Sequence, residues 1–235
     1  MNRRQLWISL LLLWSLAPML WQLISSFTTT AALVDGGVPF LQRWTLIHYR
    51  QLLSSDPPFW RFLLNSTVLA SASTVLTIAL AIPAAYGLVR LPQRWLRVSR
   101  ALIAGAALFP YVLLFLALLE LARSLNLGNS LLALAIPYSA LSLPLALLLL
   151  TAAFEGLPKD LDDAAKLEGM SLVQRLRWVL IPLIAPATAS TAILVFLFAW
   201  DEYPIALTWL SRSEQLTLPV AMARIAGSSV YSVPY

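Results

Sequence analysis

Cysteine is absent from this 235-residue chain. That excludes a disulfide framework, a thiol nucleophile and a thiolate metal site, and leaves the redox compartment open. Histidine is nearly absent too. The single His48 lies in a polar stretch without acidic or cysteine companions, so no metal site is indicated and a solvated loop residue is expected. Charge is scarce, at 11% of residues against 60% hydrophobic. With a mean hydropathy of +0.78, the chain has too few charges to cover a soluble domain. The net charge of +5 does not point to nucleic acid, because the arginines sit beside apolar runs rather than on a basic face interleaved with aromatics. A Gly-rich Lys-Ser/Thr phosphate loop is also missing, which excludes ATP hydrolysis by that route. No nucleophile, metal cluster or acid pair lies where a membrane enzyme would need it.

What the chain does have is long apolar runs. A helix needs roughly 20 residues to cross the hydrocarbon core, and five runs meet the need, at about 6–27, 62–89, 101–119, 130–154 and 179–200. The expected fold is all-α: a polytopic transmembrane helix bundle forming a single domain over 1–235. The first run follows a short basic start and is longer than a signal-peptide core, with no small-residue cleavage site after it, so it reads as a retained helix. Residues 28–60 read as a loop with short helical pieces at most. The 62–89 run carries no charge and exceeds one crossing, so its helix must tilt or protrude. Residues 124–130 read as a short re-entry segment before the fourth span.

Orientation follows from Lys and Arg on alternate sides. With the N-terminus inside, Arg3, Arg4, Arg90, Arg94, Arg97, Arg100, Lys159, Lys166, Arg175 and Arg177 are cytoplasmic. The smaller set of Arg43, Arg50, Arg61, Arg123, Arg212 and Arg224 is external. The polar stretch 155–178 is then a cytoplasmic loop. On chemistry alone it is either a solvated connector or a working element. Its pattern favours the second: 159–168 has helical composition, Gly169 is a natural stop, Ser171 a plausible cap, and helical periodicity resumes at Leu172. Two short helices around a glycine form an elbow that can push on a partner.

The run Asp163-Ala164-Ala165-Lys166-Leu167-Glu168-Gly169 resembles the loop of permease subunits of bacterial ATP-binding-cassette (ABC) importers. Their motif is Glu-Ala-Ala, three residues, Gly, nine residues, Ile, one residue, Leu-Pro. Ala164, Ala165, Gly169 and Pro182 match in spacing, while Asp163 replaces Glu, Val179 replaces Ile and Ile181 replaces Leu. Trp44 to Arg50, Phe62 to Ser66, and Trp200-Asp201-Glu202-Tyr203 are similar to segments of the maltose-type carbohydrate group, with Asp201 where Asn is usual.

The resemblance implies a permease of the bacterial inner membrane that forms the path for a sugar or sugar-like solute. Asp163, Ala164, Ala165, Glu168, Gly169 and Pro182 would belong to the loop that docks on the ATPase. The implied partners are ABC ATPase subunits, a second homologous permease, an extracytoplasmic solute-binding protein and membrane lipid. The chain would hold no cofactor or metal of its own, ATP and Mg²⁺ being bound by the ATPase. Trp200, Asp201, Glu202 and Tyr203 either line the outer path or form an aromatic belt. The competing readings are a self-contained secondary transporter, weakened by ionisable groups confined to loops and span boundaries, and a permease for another solute such as a polyamine. The family pattern also implies a sixth helix past Tyr235, approached by 228–235.

Overall fold

The computed structural model describes residues 3–29, 31 and 44–231. They form helices joined by turns, in two compact units, Met1–Trp60 and Arg61–Tyr235.

In the first unit, α1 (Arg3–Ser26) is a 24-residue apolar helix that buries none of its side chains within the chain. Its leucines and tryptophans face outward all round, as on a lipid-facing helix. A short helix, α2 (Ile47–Leu53), is tied to its end. Phe27 stacks on Trp44 at 5.7 Å, and the Ser26 and Tyr49 hydroxyls are 2.7 Å apart. His48, expected as a solvated loop residue, is half-buried, its Nε2 lying 3.0 Å from the Thr28 carbonyl. Residues 30 and 32–43 of the expected loop lie outside the described residues.

The second unit opens with α3 (Phe59–Val89), 31 residues and therefore about 46 Å long. That exceeds the ~30 Å hydrocarbon core, so the expected tilt or protrusion follows. Its buried stripe is mostly small: Ser66, Ala70, Ser73, Thr77, Ala81 and Ala85. Small side chains let helices approach closely when lipid supplies no hydrophobic drive between them. The hydroxyls bond back one turn, Ser73 to Leu69 at 2.8 Å and Thr77 to Ser73 at 2.7 Å, so they enter the core without an unpaired donor.

Next come α4 (Gln93–Ala107) and α5 (Phe115–Ser124), the latter led by a 3₁₀ turn at Tyr111–Leu114. They cover the span expected at 101–119, with a break inside it: the chain bends by 78° between Ala107 and Tyr111. Pro110 accounts for the break, since it has no N–H to donate and pushes Phe109 out of the helical region. The re-entry segment expected at 124–130 is instead a tight turn. Asn126 at φ 54° closes α5, with Leu127 N–H reaching Ala122 O at 2.8 Å. Ser130 then caps α6 (Leu131–Glu155), accepting from Ala133 N–H at 3.2 Å.

After the polar elbow, described below, α9 (Ala185–Asp201) returns through the unit. Its preceding segment Leu172–Leu183 is bent by 82° against it, so the run expected as a span at 179–200 contains a sharp break at Ile184. The chain finishes with α10 (Pro204–Trp209) and α11 (Leu218–Tyr231). The stretch expected to approach a sixth helix is itself helical through Tyr231, and 232–235 lie outside the described residues. Among the described residues three helices are long and apolar enough to cross a membrane, or up to five if each bent pair is one span.

The unit is pinned at two ends. At one, Asn65 donates to the carbonyls of Glu214 and Leu216 at 3.0 and 2.9 Å, and Ser66 accepts Leu218 N–H at 2.8 Å. At the other, Arg100 pairs with Glu155. Between them Ala81, Ala85, Ala146, Leu150, Phe154, Leu180, Ile184 and Val195 form one buried cluster. Ala146 is fully buried where α6 meets this cluster, so Ala146→Leu should overpack it. A destabilisation of about 1–3 kcal/mol is expected, visible as a lower midpoint when tryptophan fluorescence follows thermal unfolding of the purified protein in detergent.

Candidate functional site

The elbow begins at Gly156, where α6 ends. Pro158 leads into α7 (Lys159–Leu167), whose first turn carries Asp160 and Asp162 and whose last turn carries Lys166, the charge order a helix dipole favours. The helix stops as its glycine requires. Gly169 sits at φ +79°, its N–H reaches Lys166 O at 3.0 Å, and Met170 N–H reaches Ala165 O at 3.1 Å. This hydrogen-bond pair is a Schellman closure with glycine at the left-handed position. Ser171 then starts α8 (Leu172–Leu183) with a capping box: its backbone N–H donates to Gln174 Oε1 at 2.7 Å, and its Oγ accepts Gln174 N–H at 3.4 Å. The turn is therefore specified from both sides. Over Arg175–Leu180 α8 widens to a π-helix before the bend at Ile184.

One face of α7 is anchored and the other is free. Asp162 is 1% exposed and Ala165 7%. Asp162 accepts from Tyr86 Oη at 2.9 Å and from Arg90, both at the end of α3, and from Arg175 Nη1 of α8 at 2.9 Å. Lys166 Nζ stands 3.6 Å away on the next turn. The C-terminal end of α3 and the residue that follows it thus supply two of the carboxylate's partners. Arg90 also lies over the Tyr86 ring at 4.9 Å, and Tyr86 meets Phe154 edge-on at 5.9 Å. Beside this cluster is a cavity of about 260 Å³, lined by Tyr86, Arg90, Gln93, Phe154, Pro158 and Asp162 among others.

The free face carries the other expected loop residues. Asp163, Ala164, Glu168 and Gly169 are exposed, as is Pro182 on α8, whereas Ala165 turns inward. The two alanines of the motif therefore serve different faces. Lys166 donates to Asp163 at 2.9 Å. That hydrogen bond, with the added charge attraction, holds the Asp163 carboxyl below its usual range and raises Lys166, so both are ionised at neutral pH. At the tip Leu167 is 90% exposed and Val173 71%, with Met170 and Leu172 also outward. Sequence reasoning missed this apolar tip, and it missed Asp162, Tyr86, Arg90 and Arg175. The available signal was a buried register on α7, Asp162 and Ala165 three apart, whose main occupant is charged and so is invisible to hydropathy.

The second candidate group lies at the end of α9. Trp200 is half-buried and stacks on Phe196 at 5.6 Å; Asp201 is exposed and Tyr203 half-buried. Glu202 is buried, at 4% exposure. Its carboxylate accepts the N–H groups of Ile205 at 2.9 Å and Ala206 at 3.0 Å, together with the Tyr138 hydroxyl. It thereby satisfies the first turn of α10, where no other side chain caps. A cavity of about 610 Å³ opens further along α9, lined by Ala106, Phe109, Tyr111, Ser142, Pro144 and Phe198 among others.

The family model for the binding-protein-dependent transport system inner membrane component matches residues 6–228. The chain belongs to that family. Its members are the permease subunits of ABC importers, non-catalytic components of the inner membrane, so this permease is a multi-pass inner-membrane protein. It is 39% identical over 227 residues to the sulfoquinovosyl glycerol transport system permease protein SmoH of Agrobacterium fabrum, covering 96% of this chain and 79% of that one. It is 34% identical to the trehalose transport system permease protein SugB of Mycobacterium tuberculosis, covering 94% of this chain and 80% of the relative. To the trehalose/maltose transport system permease protein MalG of Thermococcus litoralis it is 35% identical, over 90% of this chain and 76% of that protein. A crystal structure of a bacterial ABC transporter involved in the import of the polysaccharide alginate shares the fold, with a TM-score of 0.76, 22% identity, and coverage of 97% of this permease and 84% of that chain.

In this permease Glu202→Gln should weaken the start of α10. Whichever way the amide turns, its NH₂ faces one of the two backbone N–H groups and leaves that donor unpaired, at a cost of about 1–3 kcal/mol. A lowered thermal midpoint in detergent is expected; an unchanged one would mean that the cap contributes nothing.

Proposed function

We propose that this permease forms the translocation path for a sugar or sugar-like solute and takes its driving force from a separate ATPase through the elbow 155–178. The solute class is supported by the relatives, whose names specify sulfoquinovosyl glycerol, trehalose and maltose. The coupling role is carried by one observation: a turn fixed by a Schellman closure on one side and a capping box on the other, presenting Leu167, Met170 and Val173 outward while its base is held at Asp162. A solvated connector has no need of an apolar cluster at its tip. A docking element does, because apolar side chains flanked by the charges of Asp163, Lys166 and Glu168 match a cleft with an apolar floor and a polar rim.

On this reading the N-terminus and the elbow are cytoplasmic, which the excess of Lys and Arg on that side supports. The ATPase subunits hold ATP and Mg²⁺, and the permease itself binds neither. A second homologous permease completes the path, and an extracytoplasmic solute-binding protein delivers the solute. Trp200, Asp201, Glu202 and Tyr203 stand at the outer end of that path. The aromatic faces offer apolar contact to sugar rings, Asp201 accepts hydroxyl hydrogen bonds, and Glu202 holds the backbone that positions them.

Gly169 is the place to test coupling. No atom of the described chain lies within 4 Å of a Cβ built there, so a side chain collides with nothing internal. The positive φ is nevertheless strained for a β-branched residue, by about 1–2 kcal/mol. Gly169→Val should therefore leave the protein inserted in the membrane while abolishing solute uptake, through a lost or uncoupled ATPase. Normal uptake together with normal solute-stimulated ATP hydrolysis in reconstituted vesicles would show that the elbow is not the coupling element.

A further inference from the structure

Resting on that docking role, we propose that Asp162 is the positioning residue that makes the elbow move as one body with α3 and α9. The nine-residue α7 is too short to hold its place alone, and only Asp162 and Ala165 of its described side chains are buried. A methyl group and one carboxylate are therefore the buried attachments of α7 itself, beside the Glu155 pair with Arg100 and the packing of Leu157 and Leu176 at the two ends of the elbow. The carboxylate spans three elements. Its Oδ2 takes the Tyr86 hydroxyl and Arg90 from α3, its Oδ1 takes Arg175 from α8, and the carboxylate itself belongs to α7.

Arg175 opens the π-helical stretch that leads through Ile184 into α9. A displacement imposed at Leu167 thus reaches α3 through Tyr86 and Arg90, and α9 through Arg175. Charge-assisted hydrogen bonds are directional and short, so they carry such a displacement with little slack. Asp163, the motif's acidic position, cannot do this. It is exposed and bonds only to Lys166 of its own helix among the interactions described.

The test uses the full complex of permease, ATPase and binding protein in proteoliposomes, with Asp162→Asn and Tyr86→Phe. Asp162→Asn keeps the shape and one acceptor oxygen but removes the charge that both arginines address. The expected result is that the ATPase co-purifies and its basal hydrolysis persists, while stimulation by loaded binding protein and solute uptake both fall about tenfold or more. Tyr86→Phe, which deletes one hydrogen bond and keeps every charge, should give a smaller loss of the same stimulated-to-basal ratio. A residue that merely stabilises the fold would lower recovery without changing that ratio.

Unchanged stimulation and uptake in Asp162→Asn would overturn the proposal. So would loss of the ATPase from the purified complex, which would assign Asp162 to docking. Should Asp162→Asn not be recovered from membranes, Tyr86→Phe decides: an unchanged ratio overturns the proposal and a reduced one supports it. A wild-type complex that hydrolyses ATP without stimulation would overturn the docking role itself, and this proposal with it.

Discussion

A carboxylate withdrawn from water is tolerated only when its charge and lone pairs are answered, and in this permease that requirement falls on Asp162. Desolvating an ion costs several kcal/mol, recovered only by close partners with good geometry. Tyr86, Arg90 and Arg175 supply them from two other elements. For these groups to meet, α7 must lie against the end of α3 and α8 must present its first turn to the same point. Removing either arginine would leave the carboxylate under-compensated, whereas trimming an exposed pair such as Asp163 and Lys166 would remove an interaction worth little in water.

The remaining architecture separates what must be fixed from what must bend. The small-residue stripe of α3, with Ala146 and Val195 from α6 and α9, makes a close-packed centre. The two sharp bends, 78° near Pro110 and 82° at Ile184 between Pro182 and Pro186, lie where proline interrupts the hydrogen-bond ladder. The second bend stands directly between the elbow and α9. On the proposed coupling role, an input at the elbow would reach α9 across this built-in angle. At the other end of α9 Glu202 fixes α10 to Tyr138 and so to α6, holding Trp200 to Tyr203 in register with the core.

Much of this was written in local signals. The uncharged runs gave the helices because hydropathy reports directly on burial in lipid, and the left-handed Gly169 and the Ser171 cap followed from residue types that tolerate those conformations. The spaced match from Asp163 to Pro182 located the elbow. What stayed hidden was long-range. Nothing local links Tyr86, Arg90, Asp162 and Arg175, which become neighbours only when α3 and the elbow converge. The breaks at Pro110 and Ile184 were masked because apolar composition continues through them. The apolar tip at Leu167 and Val173 was obscured by the charges around it. Glu202 was noticed for its chemistry, but its bond to Tyr138 spans 64 residues.

The most direct measurement takes advantage of the chain's lack of cysteine. A single cysteine in place of Leu167, the most exposed side chain of the elbow tip, can be labelled with a photoreactive maleimide in the assembled, transport-competent complex. The account predicts an adduct with the ATPase subunit, with a yield that differs between nucleotide-free and ATP-bound states. A complex that transports normally yet gives no ATPase adduct from this position in either state would contradict it.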